Sequence, residues 1–351
     1  MNHPYSDMPD YRRWRAGVAG VAPGELDPVV GFAFAISARD RIAAAGSCFA
    51  QHVARHLRLR GFEFLDAEPA HPLLPADTAR DFGYGLFSAR YGNVYTSRQL
   101  LQLLRRAYGR FTPVDDVWEE AGRYFDPFRP TIQPDGFATR QEYDADRSQH
   151  FAAVRRVFEQ ADVFVFTLGL TECWISREDG AAYPLCPGTV AGRFDPLRHA
   201  FLNLGVDDVV ADLTAFVAEL RDVNPAVKLV LTVSPVPLAA TALDRHVLVS
   251  STASKAVLRV AAERLTELQD VAYFPSYEII TSPSNRGAYY AEDLRSMREE
   301  GVQHVMELFF RHACAQAEQP AQPGPVAERK EFLAQMQDVV DTMCDESRLD
   351  P

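Results

Sequence analysis

The chain has 351 residues, 47% of them hydrophobic and 11% aromatic, which is enough apolar material for one large globular domain or two modest ones. Its formal net charge of −12, without a long run of Lys or Arg, argues against a surface that binds nucleic acid. No segment reaches the roughly 20 apolar residues of a membrane span and the N-terminus lacks a signal-peptide core, so we expect a cytoplasmic protein.

Short apolar runs alternate with amphipathic stretches from residue 41 onwards. The first run, "RIAAAG", ends at Gly46 and precedes a predicted helix at 49–60 and a second run, "GFEFL", at 61–65. Further strands are predicted at 162–169, 227–235 and 271–276, and further helices at 97–108, 148–160, 206–223, 250–269 and 299–313. Apolar strands that alternate with helices are typical of a parallel sheet covered on both faces. The pattern therefore predicts an α/β fold, a three-layer α/β/α sandwich.

Several segments fall outside this alternation. Residues 1–40 are expected to form an N-terminal extension packed on a main domain at 41–313. A long insertion at about 66–150, rich in Tyr, Phe, Gly and Pro, is interpreted as a lid or a substrate-shaping subdomain. A Pro-rich linker at 314–330 leads to a terminal helix at 331–351, which would pack either on the body or on a partner and could then mediate oligomerisation.

Polar residues follow the predicted strands at the end where open parallel sheets bind ligands. They are Ser47 and Cys48 after the first strand, Gly169, Thr171 and Glu172 after the third, Ser234 after the fourth, and 276–278 after the fifth. A serine at a helix N-terminus lies beside free backbone N–H groups, which favour an attacking alkoxide and an adjacent oxyanion. It can equally serve only as a helix cap, and position alone leaves both interpretations open.

A series of sequence blocks resembles the GSCFA family, whose name is the pentapeptide at 46–50. The other blocks include "YGNVYTSRQLLQL", "VFTLGLTECW", "PLCPGTVAGRFDPLRHAF", "LTVSPVPLAAT" and "YFPSYEIIT", and together they cover about residues 5–312 in the expected order. The family is grouped with the SGNH (GDSL-like) hydrolases. The resemblance therefore implies a flavodoxin-like parallel sheet and hydrolase chemistry.

The SGNH pattern places roles on residues near the predicted strand ends. The resemblance implies that Ser47 is the nucleophile and that its own backbone N–H helps to hold the oxyanion, together with the Gly92 N–H and the Asn93 side-chain amide. Its Gly-x-Asn-Asp motif would fall on Gly169–Glu172, where Thr171 replaces the usual asparagine. A hydroxyl can still donate one hydrogen bond to an oxyanion.

The Asp-x-x-His motif of SGNH enzymes is matched only in part. Asp293 fits its first position, but Ser296 stands where the histidine base is expected. His304 lies about two helical turns further on, and His246 lies in a loop after the fourth strand. Because His304 follows Asp293 in the segment where the family keeps its pair, it is narrowly favoured over His246 as the base.

Other candidate residues favour structural roles. Cys48 could act as a nucleophile at the helix N-terminus, but a buried thiol is the more ordinary interpretation. His52 and His56 have the spacing of a helical metal site and lack an obvious third ligand, so no metal is predicted. Ser254 and Lys255 weakly suggest Ser/Lys catalysis, but their place within a predicted helix favours a salt bridge or a structural role. Five scattered cysteines without a CxxC pair suggest reduced thiols, and no nucleotide or other cofactor motif is present.

The sequence thus predicts a serine-dependent ester hydrolase or O-acyltransferase that works through a Ser47 acyl-enzyme without a cofactor. The expected substrate is a small molecule or glycan ester, such as an acylated carbohydrate or polysaccharide precursor. The missing Asp-x-x-His leaves a second hypothesis open, a binding or scaffolding protein that has kept the fold and lost the chemistry.

Overall fold

The computed structural model describes residues 3–315 and residue 349. The strands are β1 (Ile42–Gly46), β2 (Trp118–Glu120), β3 (Arg123–Phe125), β4 (Val163–Leu168), β5 (Glu172–Ser176), β6 (Ala182–Tyr183), β7 (His199–Asn203), β8 (Lys228–Val233) and β9 (Val271–Tyr273). The helices are α1 (Phe49–Leu59), α2 (Ala76–Asp81), α3 (Ser97–Ala107), α4 (Arg140–Gln160), α5 (Val206–Val223), α6 (Val247–Leu265), α7 (Ser276–Thr281) and α8 (Glu299–Ala313). Short 3-10 or π turns lie at Asp10–Arg12, Arg15–Ala19 and Pro283–Asn285.

The central sheet is parallel, with the strand order β1-β4-β8-β9. On the outer side of β1 the predicted second strand contributes only one bridge, between Phe64 and Ile42. The Ile42 backbone bonds there to Glu63 and Leu65, and the chain then turns into the insertion. Counting this bridge as the second strand gives the order 2-1-3-4-5 of a flavodoxin-like sheet.

Side chains of the strands alternate between two hydrophobic layers. One layer joins Val163, Val165 and Val230 to α1 and α8, and the other joins Phe164, Phe166 and Leu231 to α3, α4, α5 and α6. A parallel sheet buried on both faces requires this near-continuous apolar character. The predicted three-layer sandwich is therefore confirmed.

Two small sheets lie outside the predicted alternation. Strands β5, β6 and β7 form an antiparallel sheet in the order β6-β5-β7, and β2 pairs with β3 within the insertion. Trp118 of β2 and Tyr183 of β6 pack against each other with ring centroids 5.5 Å apart. The insertion is thus joined to the segment after β4, and its helix α3 packs on α5 in the helical layer.

The N-terminal segment packs on the end of α8. The Ile36 N–H donates to the Ala313 carbonyl at 2.7 Å, and the Ala315 N–H donates to the Ile36 carbonyl at 3.0 Å. Asp27 adds a contact of 2.7 Å to the His312 ring. The predicted terminal helix at 331–351, and the linker from 316 onwards, lie outside the described residues. Within the described part, no helix combines the length and apolar character needed to cross a bilayer.

Candidate active site

The turn from β1 into α1 requires a glycine directly before Ser47. Gly46 has a φ of +141°, and a Cβ placed on it would lie 2.4 Å from the Thr167 carbonyl oxygen. Any other side chain would collide with the backbone of β4 at this point. The Ser47 N–H then donates to the same Thr167 oxygen at 3.2 Å, so the last bond of the ladder fixes Ser47 at the strand end. The expectation that this N–H holds an oxyanion is therefore wrong, because the strand ladder already uses it.

The Ser47 hydroxyl is buried, with 3% of the residue exposed. Its oxygen has no hydrogen-bond partner among residues 3–315. In the same part of the chain, no backbone acceptor is assigned to the N–H groups of Cys48 and Phe49, as expected at the first turn of a helix. These N–H groups and the positive end of the α1 dipole favour negative charge beside Ser47.

Two loops that the sequence resemblance pointed to form the walls around Ser47. Gly92 adopts a φ of +65°, and after it the Val94 N–H donates to the Gly46 carbonyl at 2.9 Å. The Tyr95 carbonyl accepts the N–H groups of Gly169 and Leu170, each at 3.0 Å. The backbone therefore brings the Gly92–Asn93 turn and the loop after β4 together beside β1.

Gly169 lies close to the nucleophile candidate Ser47. A Cβ on Gly169 would lie 2.9 Å from the Ser47 Cβ, so the site has room only for glycine there. Because its N–H is already bonded to Tyr95, Gly169 contributes space and a carbonyl group rather than an oxyanion donor.

Thr171 and Glu172 are both engaged with other parts of the protein. The Thr171 hydroxyl lies 2.6 Å from Asn203 Oδ1 and 3.0 Å from Ser254 Oγ, and its N–H also donates to Ser254. Its hydroxyl proton is therefore already used within this network. Glu172 accepts a hydrogen bond of 2.7 Å from the Thr241 hydroxyl and thereby holds the loop after β8. The Thr171 hydroxyl and N–H already donate to Asn203 and Ser254, so this geometry leaves Thr171 no free donor for the predicted oxyanion role.

The sequence favours a salt bridge or a structural role for Lys255 over Ser/Lys catalysis, but the structure brings its side chain to the loop after β4. Lys255 is 2% exposed, and its Nζ donates to the Gly169 carbonyl oxygen at 2.7 Å. With Ser254 on Thr171, helix α6 thus supplies two neighbouring side chains to the loop after β4. The one available signal was a polar Ser-Lys pair on a helix whose neighbouring turns are apolar.

Asp293 makes its hydrogen bonds within its own loop. Its carboxylate accepts from the N–H groups of Arg295 and Ser296 and from the Ser296 hydroxyl, the last at 2.6 Å. Burial acts to raise the pKa of Asp293, but these hydrogen bonds lower it overall. Ser296 thus occupies, against the aspartate, the place where the family pattern has a histidine.

The structure does not bring Asp293 to either candidate histidine. His304 Nδ1 lies 2.7 Å from the Tyr289 hydroxyl, and burial lowers the pKa of His304. His246 is exposed, and its Nδ1 accepts the Leu248 N–H at 3.1 Å as the cap of α6. In a neutral ring this leaves the proton on Nε2, so Nε2 cannot accept a proton from Ser47.

The remaining sequence candidates lie on α1, away from open solvent. Cys48 is buried and carries a free thiol. Burial lowers the pKa of His52 to about 3, so its ring is neutral. His56 contacts Glu299 of α8, at 3.5 Å, and the same carboxylate accepts Arg55 at 2.6 Å. His52 and His56 therefore serve the packing of α1 rather than a common ligand set.

Comparisons with known proteins identify one matching family and some distantly similar solved structures. A family model described as the GSCFA family matches residues 41–309. A carbohydrate esterase of family 3 from Talaromyces cellulolyticus shares 16% identity over 61% of this chain and 87% of its own, with a TM-score of 0.27. A mutant acetyl esterase, solved with an acetate ion, shares 14% identity over 70% and 93%, with a TM-score of 0.26. No curated protein matches the sequence at a significant level.

Proposed function

This chain belongs to the GSCFA family, and from that premise we propose that it is a serine-dependent ester hydrolase or O-acyltransferase with Ser47 as its nucleophile. The observation that carries the proposal is the Ser47 hydroxyl, which is buried and without a partner among the described residues at the junction of β1 and α1. A serine that served only as a helix cap would bond a backbone N–H of its helix. The α1 N-terminus shows no side-chain cap of this kind.

The reaction follows from the groups around this hydroxyl. Ser47 Oγ attacks the acyl carbonyl, and the charge that develops on the carbonyl oxygen is stabilised by the N–H groups of Cys48 and Phe49. Gly92 and Asn93, at the adjoining loop, are the proposed further donors. The alcohol leaves, and the acyl-enzyme is resolved by water in hydrolysis or by an acceptor hydroxyl in transfer. Within this proposal, O-acylated carbohydrates are the first substrate class to test.

A fluorophosphonate probe tests the nucleophile directly, because it labels a serine only where the serine is activated. We expect Ser47→Ala to abolish labelling and the turnover of short-chain esters. Cys48→Ala serves as the matched control and should keep both within about tenfold, since it removes no transition-state contact. Peptide mapping that places the label on another residue, or labelling lost only in the Cys48 variant, would refute the assignment.

The second candidate function is binding without catalysis, and the Asp293 loop is the observation that favours it. Asp293 is satisfied by Ser296, and neither candidate histidine is hydrogen-bonded to this aspartate. A protein that kept the fold for binding would leave Ser47 unlabelled by the fluorophosphonate. It would also bind acylated saccharides, measured by calorimetry, without releasing the acyl group.

A further inference from the structure

The chain has far fewer lysines than arginines, and one of these few lysines, Lys255, lies beside the candidate site. The sequence contains three lysines and 33 arginines. Two of the lysines lie in the described part: Lys228 is half-buried on β8, and Lys255 is 2% exposed on α6. Elsewhere in the described part, buried cations that pair with carboxylates are arginines, such as Arg90 and Arg129.

Lysine and arginine differ in one property that matters at a nucleophile. Arginine stays protonated in proteins, whereas lysine can lose its proton when it is buried. A cation needed only to hold a carbonyl group could therefore be an arginine, as it is in most of this chain. A lysine at position 255, unlike an arginine, can lose its proton and then accept one from another group.

The contacts of Lys255 place its side-chain nitrogen at the wall of the Ser47 site. Nζ donates to the Gly169 carbonyl at 2.7 Å, and Gly169 lies so close to Ser47 that a Cβ on it would be 2.9 Å from the Ser47 Cβ. The neighbouring Ser254 bonds Thr171, which anchors this turn of α6 to the same loop. Lys255 Nζ and the Ser47 side chain therefore both lie against Gly169.

From this geometry we propose that Lys255 is the base for Ser47, in the role that the SGNH pattern gives to a histidine. The inference rests on the hydrolase function proposed above. His246 Nδ1 caps α6 and His304 Nδ1 contacts the Tyr289 hydroxyl, so one ring nitrogen of each histidine is engaged, and neither is hydrogen-bonded to Asp293.

The proton cycle is balanced without any further reactant. The neutral Lys255 amine takes the Ser47 proton through one water, because Nζ is not hydrogen-bonded to Ser47 Oγ, while Ser47 Oγ forms its bond to the acyl carbon. The ammonium then gives this proton to the leaving alcohol as the ester C–O bond breaks. The amine, neutral again, takes a proton from the attacking water or acceptor hydroxyl and returns it to Ser47 Oγ when the acyl group is released.

The test measures the rate of Ser47 labelling by the fluorophosphonate, together with ester turnover, in variants at position 255. We expect Lys255→Met and Lys255→Ala to lower both rates by about 10²- to 10⁴-fold, the usual contribution of a general base. Lys255→Arg should be as slow, because a guanidinium cannot accept the proton. Ethylamine should restore the rate of Lys255→Ala in proportion to its concentration, an effect that a structural role alone would not produce.

Controls separate this inference from the hydrolase proposal. Lys228→Met should leave the rates unchanged, as should His304→Ala and His246→Ala. If Lys255→Ala fails to fold, as judged by thermal unfolding, Lys255→Met keeps the side-chain length and gives the same comparison. Labelling at the wild-type rate in Lys255→Met or Lys255→Arg would overturn the role of Lys255 while leaving Ser47 as nucleophile. A wild-type protein with unlabelled Ser47 would overturn both proposals.

Discussion

Two glycines set the geometry of Ser47, each for a different physical reason. Gly46 is required by its backbone, because it combines a φ of +141° with the close approach of Thr167. Gly169 is required by space, because it faces the Ser47 Cβ. The position of the hydroxyl is therefore determined by two residues that carry no functional group.

Gly169→Ala should reduce catalysis while leaving the protein folded. The added methyl group would lie 2.9 Å from the Ser47 Cβ, so either the serine or the loop must shift by several tenths of an ångström. A displacement of this order in a catalytic group costs up to about 100-fold in kcat. Steady-state kinetics with a short-chain ester measures the loss.

Gly205→Ala provides the matched comparison, because Gly205 has a φ of −80° and a Cβ there would meet Asp208 at 3.4 Å. It should retain wild-type kcat. Equal losses in the two variants would show that the contact with Ser47 has no special effect.

At the scale of elements, one carboxylate adds ionic contacts between α1 and α8 to the apolar layer that these two helices share. Glu299, at the first residue of α8, accepts Arg55 at 2.6 Å and also contacts His56. Burial acts to raise the pKa of Glu299, but the hydrogen bond of His56 and the charge of Arg55 lower it to about 2. The contacts of Glu299 with Arg55 and His56 therefore stabilise the folded state most when Glu299 is ionised.

Glu299→Gln should change how stability depends on acid. A carboxylate whose folded pKa is depressed stabilises the protein fully above its unfolded value of 4.5, and this contribution is lost as the pH falls toward about 2. The wild type should be more stable than Glu299→Gln at pH 7, and the difference should shrink between pH 4.5 and pH 2. Urea unfolding across this range measures it.

The exposed i,i+4 pair of Glu263 with Arg259 supplies the control for that experiment. Glu263→Gln should shift stability by less than about 0.5 kcal/mol at neutral pH. If the free energies of unfolding of the wild type and Glu299→Gln differ by the same amount across the acid range, ionised Glu299 does not stabilise the fold in this way.

Helix and strand positions were predictable where the apolar pattern alone determines them. Both α5 and α8 have the predicted bounds, and β4 and β8 lie within the predicted runs. Helix α4 begins at Arg140 rather than 148, because its first turns are polar and are held by ion pairs such as Arg140 with Asp144. The second predicted strand is reduced to the Phe64 bridge, since the chain leaves the edge of β1 after that residue.

The site was predictable only in the part that is local in sequence. The place of Ser47 at a strand end follows from a strand, a glycine and a helix in immediate succession, while its proposed role comes from the resemblance to the GSCFA family. Lys255 meets Gly169 across 86 residues, and no periodicity encodes that contact. The hydrogen bonds that commit His246 and His304 likewise depend on how the loops fold, so sequence spacing alone could not choose between them.

For the molecule as a whole, stability depends on the two apolar layers around the sheet. Phe164 is 1% exposed and its ring packs between Phe158 and Phe216, with centroids 5.6 and 5.7 Å away. It also lies at the start of β4, far along the strand from the carboxyl end. Core packing and the Ser47 site can therefore be perturbed separately.

Phe164→Ala should lower the free energy of unfolding by about 3–5 kcal/mol, the usual cost of removing a buried aromatic ring. Urea unfolding measures this loss. Below the unfolding transition, fluorophosphonate labelling of Ser47 should stay close to that of the wild type. Leu197→Ala, at a side chain 85% exposed, should change the free energy of unfolding by less than about 0.5 kcal/mol. A Phe164 variant as stable as the Leu197 variant would disprove this account of the layers.

The contact between Glu299 and Arg55 bears on the order in which the surroundings of Ser47 form during translation. The two residues are 244 positions apart in the sequence. The Ile36 backbone likewise forms its hydrogen bonds with residues 313 and 315, which are synthesised much later. A nascent chain thus exposes the proposed nucleophile Ser47 early, and Lys255 and then α8 follow much later. A polypeptide released before residue 299 would carry the Ser47 turn without the contact from Glu299 to α1, so we expect the proposed reactivity of Ser47 to appear only after α8 has been made.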